Sequence, residues 1–233
     1  MVGHLLATNT TGHGPVFFSM LEDDGDGLFL LRTHSGEFFL SRGLDYEMER
    51  YYVLTIGVRN RGGWLSRIRV YFSVMDINDN PPVFSPSTYS ISVLENSAVG
   101  TCFLTLNVSD MDDGVNAELN WAVIAGDEEA KFAVNSSGVV CLQGSLDRER
   151  VSMYNLTVRV NDLALPADSR LTSTGRVIVL VEDVNDNAPS FVSVERLHVL
   201  EDTPLHAVVI VIQAIDDDSG HNGEVEYGLE NLS

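Results

Sequence analysis

Four acidic motifs recur along this chain in one order and at nearly one spacing, and that recurrence constrains the fold more than any other feature. Asp76-Ile77-Asn78-Asp79-Asn80-Pro81-Pro82 returns as Asp183-Val184-Asn185-Asp186-Asn187-Ala188-Pro189, an offset of 107. Leu94-Glu95-Asn96 returns as Leu200-Glu201-Asp202, and Asp110-x-Asp112-x-Gly114-x-Asn116 as Asp216-x-Asp218-x-Gly220-x-Asn222, both at 106. Leu44-Asp45-Tyr46-Glu47 returns as Leu146-Asp147-Arg148-Glu149, at 102. A period this long is the size of a domain, not of a solenoid unit. The motifs divide the chain into repeats at 1–84, 85–191 and 192–233, of which only the middle one is complete.

Within the middle repeat, short β-prone segments alternate with turn signals. Phe103–Val108, Glu118–Ile124, Phe132–Val134, Val139–Leu142, Tyr154–Val160 and Gly175–Val184 are rich in branched and aromatic residues. Between them lie Asp112-Asp113-Gly114, Gly126-Asp127, Asn135-Ser136-Ser137-Gly138 and Pro166-Ala167-Asp168. Tyr154, Leu156, Val158 and Val160 alternate with polar residues, the mark of a strand buried on one face. Seven or so strands in such a repeat predict an all-β fold of tandem antiparallel Greek-key sandwiches, the first and last incomplete.

Acidic residues outnumber basic ones 34 to 14, for a net charge of -20. Such a chain repels phosphate backbones and anionic membrane surfaces, which excludes nucleic acid as a partner. Apolar runs such as Ala207–Ile212 are too short to span a bilayer, and the first residues lack the pattern of a secretion signal. A compact fold with this much like charge calls for a cation. The motifs offer Asp, Glu and Asn without His or Cys, an all-oxygen donor set that suits calcium and not zinc or copper. The prolines after each Asp-x-Asn-Asp-Asn stretch keep the connection between repeats extended. Metal binding and ordering of that connection should be coupled.

These motifs resemble the extracellular repeats of the cadherin superfamily over essentially the whole chain. The resemblance implies about three calcium ions at each complete joint between repeats. Carried over residue by residue, the first joint would use Asp45, Glu47, Asn78, Asp79 and Asn80 from above, and Asp110, Asp112, Asn116 and Asp162 from below. The second would use Glu95, Asp147, Glu149, Asn185, Asp186 and Asn187, then Asp216, Asp218 and Asn222. Asp76, Ile77, Asp183 and Val184 complete the linkers, in part through backbone carbonyls. The first repeat departs from the pattern: Asn9-Thr10-Thr11 stands where Asp-x-Asp is expected, and Asn60 where the later Asp is expected. It also starts too late to hold its own Glu of the x-Glu-x motif, so the chain reads as a fragment of a longer ectodomain.

Other features are less specific. Sequons occur at Asn9, Asn107, Asn135, Asn155 and Asn231, and Asn107 and Asn155 fall on the outward phase of their strands. Cys102 and Cys141 lie on strands expected to be neighbours; a disulfide and two separate thiols are both compatible with the sequence. His206-Ala207-Val208 spells a tripeptide of some adhesive cadherins but sits at the start of a third-repeat strand, the wrong place for it. Neither Trp64 nor Trp121 is placed for strand-swapping adhesion, and Trp121 reads as core. The absence of such a tryptophan favours the large Fat, Dachsous or protocadherin-like type.

The expected function is calcium-dependent cell–cell adhesion or recognition by an ectodomain of a plasma-membrane glycoprotein. Its expected partners are cadherin repeats on an opposing or neighbouring protein. A calcium-stiffened spacer is the alternative from the same residues. A calcium-supported hydrolase would need paired acids in a pocket and a nucleophile signature, and the sequence offers neither.

Overall fold

The computed structural model describes residues 3–4, 14–63, 65–193 and 196–229. The Asn9-Thr10-Thr11 segment, Asn231 and Trp64 lie outside them. Two compact units emerge, residues 1–79 with 111–116, and residues 80–110 with 117–233. Among the described residues no helix is long and apolar enough to cross a membrane.

The first unit holds β1 (Gly3–His4), β2 (Val16–Asp23), β3 (Phe29–Leu31), β4 (Glu37–Leu40), β5 (Tyr51–Asn60) and β6 (Leu65–Ser73). They form two three-stranded sheets in the orders β1-β4-β3 and β2-β5-β6. Alternating residues of β5, Leu54 and Ile56, are buried with Phe18, Leu28, Phe29 and Phe38 in one core. The unit's acidic run, Glu22-Asp23-Asp24, is largely used in local bonding. Asp23 accepts the amides of Gly25 at 2.8 Å and Gly27 at 3.0 Å, Asp24 accepts that of Val53 at 2.9 Å, and Glu22 accepts the Thr55 hydroxyl at 2.7 Å.

The second unit holds β7 (Val83–Phe84), β8 (Thr88–Leu94), β9 (Cys102–Thr105), β10 (Val108–Ser109), β11 (Leu119–Ala125), β12 (Phe132–Val134) and β13 (Val139–Leu142). It continues with β14 (Met153–Asp162), β15 (Thr172–Glu182), β16 (Ser190–Phe191) and β17 (Ala214–Ile215). A four-stranded sheet, β11-β14-β15-β8, and a three-stranded one, β12-β13-β9, contribute to one core that includes Phe132, Val140, Leu142, Leu156, Val158, Val160, Val177 and Val179. Trp121 packs on it edge-on to Phe84 at 6.0 Å, in keeping with its reading as a core residue. Gly138 turns beneath that ring with φ +75; a Cβ there would come within 2.9 Å of the Trp121 indole.

Three features differ from the expected pattern. The pairing is not antiparallel throughout: β8 runs parallel to β15, from Thr88 opposite Arg176 to Leu94 opposite Glu182. Both strands run the same way along the repeat, so closing the sheet with the first beside the last makes that one pair parallel. Phe103–Val108 divides into two strands. β9 pairs with β13, whereas β10 pairs with β7, because the chain changes sheets at Leu106-Asn107. Asn107 is therefore an exposed loop residue, while Asn155 is exposed on a strand as expected. In the third repeat His206-Ala207-Val208 does not begin a strand: His206 lies in a turn with φ +67, and Ala207–Ile212 has no ladder partner among the described residues.

Cys102 and Cys141 face each other across β9 and β13 and are joined by a disulfide. The turn between β11 and β12 is held by Asp127, whose two oxygens accept the amides of Lys131 at 2.7 Å and Phe132 at 2.8 Å. Asp127→Ala leaves both amides without that acceptor and should cost about 1.5 kcal/mol. Urea unfolding should show this as a lower midpoint at unchanged slope.

Candidate metal centre

Each acidic site grows from the same two local constructions. In the first unit, Asp45 closes a turn just before β5: its Oδ1 accepts the Met48 amide at 3.0 Å and its backbone carbonyl accepts that of Glu49 at 3.1 Å. In the second, Asp147 does the same before β14, accepting the Arg150 amide at 3.0 Å and the Val151 amide at 2.9 Å. One turn of chain thus places Glu47 and Glu149 two residues after an anchored aspartate. The second construction is in the linkers. Asp76 Oδ2 accepts the Asp113 amide at 3.1 Å and Asn116 Nδ2 at 2.8 Å. Asp183 accepts the Ser219 amide at 3.1 Å and Asn222 Nδ2 at 2.8 Å. The turn and the linker bond are thus each built twice.

In the first site, carboxylate oxygens of Glu47, Asp79 and Asp112 lie within 4.8 Å of one another. In the second, Glu95, Glu149 and Asp183 meet the same limit. Calcium–oxygen distances of 2.3–2.6 Å let one ion reach oxygens up to about 5 Å apart, so either trio can share an ion. Two oxygens of the first site, Glu47 Oε1 and Asp76 Oδ1, are buried with no hydrogen-bond partner. An unmatched buried carboxylate oxygen is costly, and a hard cation supplies what it lacks. Burial first, and then the charges of Asp79, Asp112 and Asp76, hold the Glu47 carboxyl above its usual range. Burial followed by Glu95, Asp218, Asp147 and Asp183 does the same to Asp186. The donor sets and their electrostatics fit calcium.

The remaining predicted residues fall around these trios. In the first unit Asn116 joins through Asp76, and Asn78 is half-buried in the linker. Asn80, Asp110 and Asp162 belong to the second unit. Asp162 closes β14 at 0% exposure, with its oxygens accepting the amides of Ala164 at 3.0 Å and Leu171 at 2.7 Å. Asn60 ends β5 as Asp162 ends β14, which agrees with aligning the two. In the second site Glu95, Asp147, Glu149, Asp186 and Asn187 line one concavity with Leu146. Glu95, 4% exposed, accepts the amides of Arg148 and Val184, both at 2.8 Å. Asn187 donates from Nδ2 to Asp218 at 2.8 Å and to Asp186 at 2.9 Å; Asp216 accepts the Asp218 amide at 3.0 Å, and Asn185 is exposed.

Two participants in the second site go beyond what the motifs imply: the carboxylate of the linker aspartate Asp183, and a cation, Arg148. Asp183 enters the second trio through its carboxylate, and Arg148 pairs with both Glu149 and Asp183 while donating to the Asp217 carbonyl at 2.7 Å. Burial alone pushes the Asp183 carboxyl up, but hydrogen bonds from Asn222 and Ser219 and the Arg148 guanidinium together hold it below its usual range. The position equivalent to Arg148 in the first site is Tyr46, whose hydroxyl donates to Asp113 at 2.7 Å with Arg50 stacked 4.4 Å from its ring. The signal was present: Arg148 is the variable residue of the Leu-Asp-x-Glu motif itself.

Sandwich repeats with duplicated all-oxygen clusters define a class of modular, cation-binding β-proteins. Residues 89–182 match the family described as Cadherin domain. The chain is 46% identical over 235 residues to mouse Protocadherin Fat 4, covering 100% of this chain and 5% of that protein. It is 34% identical over 232 residues to Protein dachsous of Drosophila melanogaster, covering 93% and 6%. Among solved structures, mouse Cadherin-23 EC22-24 superposes with a TM-score of 0.84 at 30% identity, covering 94% of this chain and 71% of that one. The chain belongs to the cadherin superfamily, in its Fat and Dachsous-like branch. Repeats of this family are adhesion modules, not enzymes, and bind calcium in general. The chain spans only 5% to 6% of the length of these curated relatives.

Proposed function

We propose that this chain is part of a calcium-stiffened ectodomain that serves cell–cell adhesion or recognition, contacting cadherin repeats on an opposing or neighbouring protein. Its repeats are 1–84, 85–191 and 192–233, joined at two cation sites that each take about three calcium ions. The observation that carries the reading is that one turn and one linker bond are each built twice, each time beside an acidic trio, with two buried oxygens at the first site that lack any hydrogen-bond partner. The first site draws on Asp45, Glu47, Asn78, Asp79, Asn80, Asp110, Asp112, Asn116 and Asp162. The second draws on Glu95, Asp147, Glu149, Asn185, Asp186, Asn187, Asp216, Asp218 and Asn222; the linker aspartate Asp76 joins the first site and Asp183 the second. With calcium bound, carboxylates that repel one another become shared ligands, and the joint stiffens. An ectodomain placement suits an extracellular calcium level near the dissociation constant of such modules, roughly 10⁻⁴–10⁻³ M.

Thermal unfolding with calcium titrated against chelator tests this directly. The midpoint should climb with calcium, since ions that bind only the folded state add about 1.4 kcal/mol per site at tenfold excess over Kd. Asp186→Ala should flatten most of that climb. A midpoint indifferent to calcium would remove the physical basis of the reading.

A further inference from the structure

The hairpin formed by β5 and β6 is unlike the rest of the chain. Residues 51–75 contain Arg59, Arg61, Arg67 and Arg69 and no Asp or Glu, in a protein of net charge -20. The pairing places Thr55 opposite Arg69, Gly57 opposite Arg67, and Arg59 opposite Leu65. These residues share the phase opposite to the buried Leu54 and Ile56, so they stand on the outer face of the sheet. All four arginines are exposed, and among the described residues none has an ion pair. The acid in register with them on β2, Glu22, is occupied by the Thr55 hydroxyl.

The same face carries apolar groups. Tyr71 is 70% exposed, Tyr51 67% and Leu65 49%. Leu21 and Leu65 fold over Gly57 so closely that a Cβ there would come within 3.0 Å of both. Tyrosine, arginine and leucine around a glycine floor form a surface that a protein can bury, with cations placed to meet carboxylates. A sulfated polysaccharide would engage the arginines and leave the tyrosines and leucines in water.

We infer that the outer face of β5 and β6 is a docking surface for the acidic surface of a second copy of this chain. The inference rests on the adhesion reading and adds where the contact lies. Charge complementarity selects the occupant: a chain of net charge -20 presents counter-charges to a face where the hairpin's arginines outnumber the one acid in register with them, Glu22. Attraction between unlike patches also speeds encounter, and it weakens as salt screens it.

Sedimentation velocity on the whole chain in calcium, at low and high salt, is the test. The wild type should form a dimer that loosens with salt. The double substitution Arg67→Glu with Arg69→Glu should raise the dissociation constant about tenfold or more. Tyr71→Ala should weaken the dimer as well. Because all three positions are exposed, far-UV circular dichroism and the calcium-dependent midpoint should stay as in wild type. A wild type that remains monomeric overturns the inference, as does a dimer indifferent to the charge reversal. Retention on heparin by a monomeric wild type would overturn it too, reassigning the face to a polyanion. A monomer whose midpoint still climbs with calcium sinks the docking surface alone, whereas a salt-sensitive dimer with a calcium-indifferent midpoint sinks only the calcium reading.

Discussion

Replacing Cys102 and Cys141 together by Ser should lower the unfolding free energy of the middle repeat by about 4 kcal/mol. The bridge closes a loop of 39 residues between β9 and β13. Cross-linking a loop of that size removes entropy from the unfolded chain and leaves the folded ladder, Val139 to Thr105 and Val140 to Leu104, as it was. Urea unfolding followed by fluorescence of Trp121, which packs on Phe84, reports on this repeat. A loss below about 1 kcal/mol would show that residual pairing in the unfolded chain already restrains the loop.

The second large effect concerns the cation built into the second site. The Arg148 guanidinium is a counter-ion of Glu149 and Asp183, with side-chain exposures of 16%, 20% and 12%. Removing one partner from such a group leaves charge without compensation, so Arg148→Ala should destabilise the chelated protein by about 3 kcal/mol. Calcium replaces the missing charge, and in its presence the loss should fall below about half of that. Tyr46→Ala, at the equivalent position, removes one exposed hydrogen bond to Asp113 and should lower the midpoint only slightly, by the same amount with or without calcium. Paired melting curves in calcium and chelator decide the matter. Equal losses for Arg148→Ala in the two conditions would reduce the guanidinium to a packing group.

Much of this was legible in the residues because two periodicities carry it. β-Prone runs between turn signals located Phe132–Val134 and Val139–Leu142 as observed, and alternation located Tyr154–Val160 within Met153–Asp162. The domain-length recurrence located both acidic trios except for Asp183, which appeared only as a linker residue. What escaped depends on neighbours that a strand's own pattern does not encode. Alternation reports that Phe103 to Val108 is extended, not that Asn107 leaves one sheet for another, where its amide meets the Tyr89 hydroxyl at 2.9 Å. Nor does it reveal that β8 lies parallel to β15, or that Ala207–Ile212 finds no ladder. The arginine of Leu146-Asp147-Arg148-Glu149 was passed over for the opposite reason: charge on a turn is usually solvated, and only the geometry puts it on two carboxylates.

The parallel pair has a mechanical consequence. The chain enters the middle repeat through β8 and leaves it through β15, and their ladder runs for seven consecutive residue pairs. Tension applied at the two ends of the repeat therefore pulls these strands in opposite directions along their length. Every hydrogen bond between them is loaded in shear at once, rather than opened one after another from an end. Rupture then requires the ladder to fail as a unit, so the repeat resists extension most strongly along the line that joins its two ends.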